Sequence, residues 1–451
     1  MPVRLTSREN KIIAIVVLVS AVSLGIGVKY FWRAFPEAAI EFRVNRADSL
    51  PLAQRFLTER GIHLEGYRHA AIFTYDDQAK VYLERTQGLE RMNGLTRGPI
   101  RLWRWSHRWF KPQQQEEFSA EVTPAGEAVG FHHEIPEASP GANLEQPAAR
   151  QIAEQFLREV MKRDLDGLEF VEAETEKRPA RTDHSFTWKQ KNVNLGDGSL
   201  RIAVAVDGDQ VAGYNEFVKI PEQWSRDYKQ LRSRNQSAQV VAEVFFILLT
   251  AAMIIILVMR LRDRDVPLRL SVIFGLVGTA LYFLGRLNNL PLEEFGYQTT
   301  DSYSSFMAGY LRDSVLFALG VGVWIFFLVA SSEPVYRENY PGLVSLRRYL
   351  SWTGLRSRSF FISNVIGLGM TFFFFAYQTV FYLAANKLGA WAPADVQYSD
   401  LLNTRFPWVW VLFIGFLPAV SEEMQFRAFA IPFLKHRLRS KWLAVVLAAF
   451  I

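Results

Sequence analysis

Apolar residues follow two different patterns along the chain. In the first they run unbroken, over residues 12–28, 240–259, 268–288, 304–330, 359–385 and 406–434, with a last run starting near Leu443. The six complete runs are each long enough for a helix that crosses a bilayer, which takes roughly 17–25 residues. In the second pattern, between residues 31 and 238, apolar positions recur at helical or alternating spacing and no long run appears. This stretch is internally duplicated. LAQRFLTERG at 52–61 matches IAEQFLREVM at 152–161, with Ala53 and Ala153, Phe56 and Phe156, and Leu57 and Leu157 in equivalent places on one face of an amphipathic helix. Each helix is followed by strand-like segments and closes on a related hairpin. FSAEVTPAGEAVGFHHEIPE stands against LRIAVAVDGDQVAGYNEFVKIPE, with PAG and DGD as the turns.

The pattern predicts a multi-span α-helical membrane protein with a duplicated α+β extracytoplasmic domain. Residues 1–30 form an N-terminal anchor helix, 31–238 the duplicated α+β domain, and 239–451 a multi-span core. A cleaved signal peptide is the rival for the first run, but the run is long for such a segment and no A-x-A site follows it directly.

Charge orients the runs. RLRDRDVPLR, RENYPGLVSLRRYLSWTGLRSR and KHRLRSK follow the second, fourth and sixth runs and are basic, whereas NNLPLEEFGYQTTDSY and KLGAWAPADVQYSD are acidic or mixed. That alternation places the N-terminus in the cytoplasm of a cell membrane crossed seven times, with the duplicated domain outside. Half of the residues are hydrophobic and 21% are charged, as expected for a chain shared between lipid and water. The net charge of +6 sits beside apolar runs, where it sets orientation, and gives no reason to expect a nucleic-acid partner. The absence of cysteine excludes disulfides, thiolate nucleophiles and thiolate zinc sites.

The candidate chemistry lies in FLPAVSEEMQFRAFAIPFL, residues 416–434. Charges at membrane depth are unfavourable by at least roughly 2.5–3.5 kcal/mol each and usually face a protein interior or a watery cavity. Glu423 and Arg427, four apart, can pair on one helix face, and Glu422 lies about 100° round, so that both carboxylates border one polar pocket. A carboxylate tethered by arginine beside a free one makes a tunable general base for water. The bland alternative is an ion pair that ties the helix to a neighbour. In the periodic region, His132 and His133, adjacent on a strand, point to opposite faces, and Asp207 and Asp209 flank a turn glycine. These read as ordinary strand and turn residues.

EEMQFR has the E-E-x-x-x-R pattern and so resembles the CAAX prenyl protease and bacteriocin-processing (Abi) family of intramembrane proteases, over roughly residues 240–451. The resemblance implies a multi-helix core whose catalytic cavity opens toward the cytoplasm. It implies that Glu422 activates the attacking water and that Glu423 and Arg427 support and orient the site. The helix-plus-hairpin units more weakly resemble tandem PepSY-like modules, associated with extracytoplasmic binding or protease regulation. The family pattern continues with F-x-x-x-H and a later His or Asn, which the sequence after Arg427 does not supply. The chain stops at LAVVLAAFI, inside an apolar run, and reads as a shortened form whose partner histidine follows Ile451.

The resulting expectation is an intramembrane endopeptidase acting near the cytoplasmic face on a peptide or protein substrate held in the lipid bilayer. It needs no cofactor, and the missing H-E-x-x-H pattern disfavours a metal. A transporter or proton relay using the Glu-Glu-Arg cluster, and a noncatalytic receptor, are the alternatives.

Overall fold

The computed structural model of this chain describes residues 5–341, 346–390 and 398–449. It opens on α1 (Ser7–Ala34), whose first turn is closed by a capping box between Thr6 and Glu9. A 3₁₀ turn (Pro36–Ala39) leads to α2 (Arg46–Thr58), β1 (Arg68–Thr74), α3 (Asp77–Gln87), α4 (Leu89–Arg97), β2 (Arg104–Phe110), β3 (Glu117–Val122) and β4 (Ala128–Glu134). A second unit has α5 (Gln146–Glu159), β5 (Leu168–Lys177), β6 (Thr182–Gln190), β7 (Ser199–Asp207) and β8 (Gln210–Lys219). The helical part comprises α6 (Glu222–Arg262), α7 (Leu268–Asn288), α8 (Leu290–Phe295), α9 (Tyr303–Asn339), α10 (Leu346–Tyr349), α11 (Trp352–Leu355), α12 (Arg358–Asn386), α13 (Tyr398–Asn403) and α14 (Pro407–Glu422). A π-helical segment (Glu423–Ala430), α15 (Ile431–Leu438) and α16 (Lys441–Ala449) complete it.

The eight strands form one antiparallel sheet in the order β1-β2-β3-β4-β8-β7-β6-β5. The two repeats do not form separate sheets: they are two four-stranded meanders fused through their last strands. The fusion is symmetric. Gly130 pairs with Asn215, Phe131 with Tyr214 and His132 with Gly213. With Gly130 aligned to Gly213 in the two hairpins, Phe131 and Tyr214 are repeat equivalents that face each other, so a pseudo-twofold axis passes between them. Helices α2 and α5 cover the same face, where Ala53, Leu57, Ala153, Phe156 and Leu157 pack on Trp109, Phe118, Phe186, Trp188 and Ile202. Burying a Leu or Phe there contributes about 1.5–3 kcal/mol. The first unit also departs from the expected run of strands by inserting α3 and α4 between β1 and β2.

Among the described residues, six helices are long and apolar enough to cross a membrane: Ser7–Ala34, Glu222–Arg262, Leu268–Asn288, Tyr303–Asn339, Arg358–Asn386 and Pro407–Leu438. The chain is thus a helical multi-span protein with a β region. The seventh expected run is represented among the described residues by the nine residues of α16.

The spans form two groups. In the first, α1 packs along α12 in parallel: Glu9 pairs with Arg358 at 3.0 Å, Gly27 lies on Phe375, and Phe35 lies on Tyr382. In the second, α7 and α9 are antiparallel and so close that a Cβ on Gly275 would stand 2.8 Å from the Gly322 carbonyl, the small-residue contact that lets membrane helices approach. Leu249 of α6, Ile325 and Leu328 of α9, Val420 of α14, Phe429 and Ala448 join α7 and α9 in one core.

The edge strand β1 and its neighbour β2 dock onto one end of these helices. Arg46 donates to the carbonyls of Asn403 (2.8 Å) and Thr404 (3.2 Å), and the Asn403 side chain bonds both backbone groups of Phe73. Arg108, held by Glu117, donates to the carbonyls of Phe295 (2.6 Å) and Tyr297 (2.7 Å). These contacts cover an edge that would otherwise present unpaired backbone groups.

Candidate functional site

At the other end of the helices lies the E-E-x-x-x-R segment. Pro418 interrupts α14, and Pro432 has no N–H to give the Ala428 carbonyl, so an α-helical ladder cannot run through this stretch unbroken. The chain widens into the π-helix Glu423–Ala430, whose closing bond runs from the Ile431 N–H to the Phe426 carbonyl. Such widened turns are rare and concentrate at functional sites.

The Glu423–Arg427 pair expected from the spacing forms, with Nη1 2.9 Å from Oε1. Its side chains are open, at 45% and 74% exposure. They border a cleft of about 300 Å³ shared with Glu333 and Tyr336 of α9, Tyr349, and Ser363 of α12. The cleft therefore lies where the two helix groups meet.

Glu422 is exposed and does not line this cleft, which corrects the expectation that both carboxylates share one pocket. Successive helical residues diverge by about 100°. With Gln425, Ala428 and Phe429 turned into the core and Glu423 toward α12, Glu422 is left on the neighbouring face.

The second carboxylate of the cleft is instead Glu333, 6% exposed and 3.4 Å from Arg337. Arg337 reaches Asp265 at 2.6 Å, Asp265 reaches Arg260 at 3.2 Å, and Arg260 reaches Glu338, so an ion network runs from the cleft to the α6–α7 connection. The apolar run 304–330 ends three residues before Glu333, so hydropathy alone does not mark it as part of the span. Its signal is the polar turn Ser331-Ser332-Glu333-Pro334 embedded in a helix that continues to Asn339.

The histidines lie elsewhere. His436 is exposed in the basic end of α15. His132 bonds Glu134 at 2.8 Å, whereas His133 stacks on Phe118 and bonds Glu116 at 2.9 Å, on opposite faces of β4 as alternation requires. Asp207 is held near Arg181, and burial followed by the nearby Asp183 charge pushes its carboxyl up. Among the described residues no three His, Asp or Glu side chains converge as a metal site.

A buried polar chain went unnoticed in sequence. His69 Nε2 lies 3.0 Å from His107 Nδ1, His107 Nε2 lies 3.0 Å from Ser49 Oγ, and Ser49 donates to the Arg46 carbonyl. Burial holds both imidazoles neutral, taking His69 down to about 4 and His107 to about 3, with the Arg46 charge adding to it.

Compared with family models, with curated proteins and with solved structures, the chain matches none.

Proposed function

We propose that the chain is an intramembrane endopeptidase of the glutamate type, similar to the CAAX and bacteriocin-processing proteases, with its sheet region outside the cell membrane. The observation that carries the reading is the placement of Glu423 and Arg427 on a π-helical turn inside a span, opening on a cleft between two helix groups, with Glu422 at the end of α14 just before it. A peptide can enter such a cleft sideways from the bilayer.

Residues 1–30 then anchor the chain, 31–238 recruit or sense substrate outside, and 239–451 carry the chemistry. Sidedness is supported by the packing. The sheet gathers one set of helix ends, and Arg260, Arg337 and Arg358 gather at the other, which the positive-inside rule assigns to the cytoplasm.

In the proposed reaction the peptide lies across the rim of the cleft and over the neighbouring exposed face, where the Glu422 carboxylate takes a proton from water as the oxygen adds to the scissile carbonyl. The C–N bond then breaks as that proton passes to the leaving amine, which leaves a new carboxylate and a new amino terminus. Glu423 holds Arg427, whose guanidinium is positioned to orient the peptide and offset developing negative charge.

A second reading, a proton relay or solute pathway, is favoured by the ion network from Glu333 to Glu338. Terminal-amine labelling of membranes that carry the chain separates the two. New protein N-termini that vanish with Glu422→Gln support proteolysis; identical N-termini with and without Glu422 overturn it.

A further inference from the structure

The short connection from α1 to α2 runs between two hollows of opposite character. Ile40 has extended backbone, and in such a segment successive side chains point to opposite sides. Ile40 and Phe42 accordingly face an apolar hollow of about 290 Å³ whose walls include Phe31, Phe35, Phe73 and Leu402. Glu41 and Arg43 face a polar hollow of about 240 Å³, which Ile40 also borders and which Arg97 and Arg101 help to line.

The first hollow offers water little. Its one carboxylate among the described residues, Glu37, is claimed by Lys80, whose side chain is fully buried. A water in a cavity needs about 2–4 polar partners, and these walls present aromatic and aliphatic faces instead. Protein interiors leave few voids of this size empty. An apolar occupant fits, and the bilayer adjoins it. Phe31 lies in the last turn of the α1 span, and Phe31 and Phe35 pack on Phe375 and Tyr382 of the α12 span.

The second hollow sits at headgroup level. Asn93 of α4 reaches the Trp32 carbonyl at 3.5 Å, so α4, which ends on Arg97, lies beside the last turn of α1. There Lys29 stands 5.3 Å from the Tyr30 ring and Arg33 5.0 Å from the Trp32 ring, a basic and aromatic belt of the kind that marks a membrane surface. Three guanidiniums meet two carboxylates in this hollow. Glu127 takes Arg101 at 3.0 Å, whereas Glu41 stands 3.8 Å from Arg43 and 3.9 Å from Arg97. The Arg43 side chain is 71% exposed and has donors to spare for an anion.

We propose that the two hollows hold one anionic phospholipid from the leaflet on the sheet side, with an acyl chain in the apolar hollow, the phosphate against Arg43 and Arg97, and Ile40 between head and tail. The lipid fills the seam where the sheet region meets the α1–α12 pair. A guanidinium fork matches a phosphate, and a choline headgroup, which carries its own cation beside the phosphate, gains less from it. The site requires that the helices span a membrane and draws nothing from the endopeptidase reading.

The full chain is reconstituted in phosphatidylcholine vesicles that contain a trace of phosphatidylglycerol with a photoreactive diazirine near the end of one acyl chain, or the same probe on phosphatidylcholine. After irradiation, adducts are mapped by peptide mass spectrometry. Phosphatidylglycerol adducts are expected to concentrate at Phe42 and Leu402 over Leu368 and Phe374, which are 60% and 54% exposed on α12 and report ordinary lipid contact. The phosphatidylcholine probe is expected to mark the four positions alike. Arg43→Gln should lower the anionic preference about three- to tenfold, the effect of one partly exposed charge-assisted bond, and Arg43→Lys should keep most of it. Absence of adducts at Phe42 and Leu402 would mean that the chain fills the hollow itself, and equal labelling by the two lipids would reduce the site to a packing seam; either result overturns the proposal. So does an anionic preference that Arg43→Gln leaves unchanged.

Discussion

The sheet and the remote helix ends use ionisable residues in opposite ways. In the sheet they hold shape. Glu216, 1% exposed, is gripped by Arg163 and the Tyr214 hydroxyl, and Arg181 joins Asp183 at 2.8 Å to the carbonyls of Pro136 and Ser139. At the remote ends Glu422 is open, and Glu423 and Arg427 pair with exposed side chains at the edge of a cleft. Side chains that close on one another leave nothing for a substrate. The contrast therefore directs the search for chemistry to the helices, even though the sheet holds six of the seven histidines or their neighbouring loops.

The largest expected effect breaks the contrast most sharply. Glu422→Gln should lower peptide cleavage by about 10²–10⁴-fold, the usual contribution of a general base, while His132→Ala and His133→Ala should leave the rate nearly unchanged. Loss of cleavage from the histidine variants alone would reverse the assignment of the two regions.

Next in size is a purely structural loss in the sheet. Arg163→Ala strands the buried Glu216 carboxylate, which should destabilise the sheet by about 3–5 kcal/mol, read as faster hydrogen exchange in β7 and β8 of the full chain. The docking contact comes third. Arg46→Ala removes charge-assisted bonds to two carbonyls, worth about 1.5–3 kcal/mol each, and should loosen exchange protection around Asn403 with β7 unaffected.

The smallest effect compares the two repeats. Where the first has Ser49 and His107, the second has Ala149 and Phe186, so the same fold is built with and without the polar chain. Both His69 and His107 titrate lower in the folded chain than in the unfolded one, which binds protons first as pH falls. Their contribution is therefore complete above about pH 6.5 and is lost as pH drops toward 4 and then 3. Between pH 7 and 6 the loss should be below about 1 kcal/mol per histidine. Ser49→Ala with His107→Phe should flatten this slope, measured by exchange of β2 across that range; an unchanged slope would assign it to other groups.

Periodicity made much of this architecture legible. The apolar runs mark the spans because bilayer thickness forces continuous stretches of about 20 residues. The matched Ala53-Phe56-Leu57 and Ala153-Phe156-Leu157 mark the repeats because one helix face must pack on each meander. Partnering across the chain was not legible. Nothing local tells β4 to pair with β8, since the register depends on Phe131 meeting Tyr214 across 83 positions. Glu333 lies beyond the 304–330 apolar run, and its burial depends on α9 continuing past Ala330 against the π-helical segment. The motif itself was readable, but the outward turn of Glu422 was not, because it follows from which neighbours claim the core face.

Isotope transfer tests directly whether Glu422 activates water against a peptide bond. The chain is reconstituted in vesicles made with H₂¹⁸O, and candidate membrane-spanning peptides are analysed by mass spectrometry. The expected result is a fragment whose new C-terminal carboxylate carries one ¹⁸O, absent with Glu422→Gln. No fragment from either chain, together with a solute flux that Glu422→Gln abolishes, would contradict the endopeptidase and establish a transport pathway in its place.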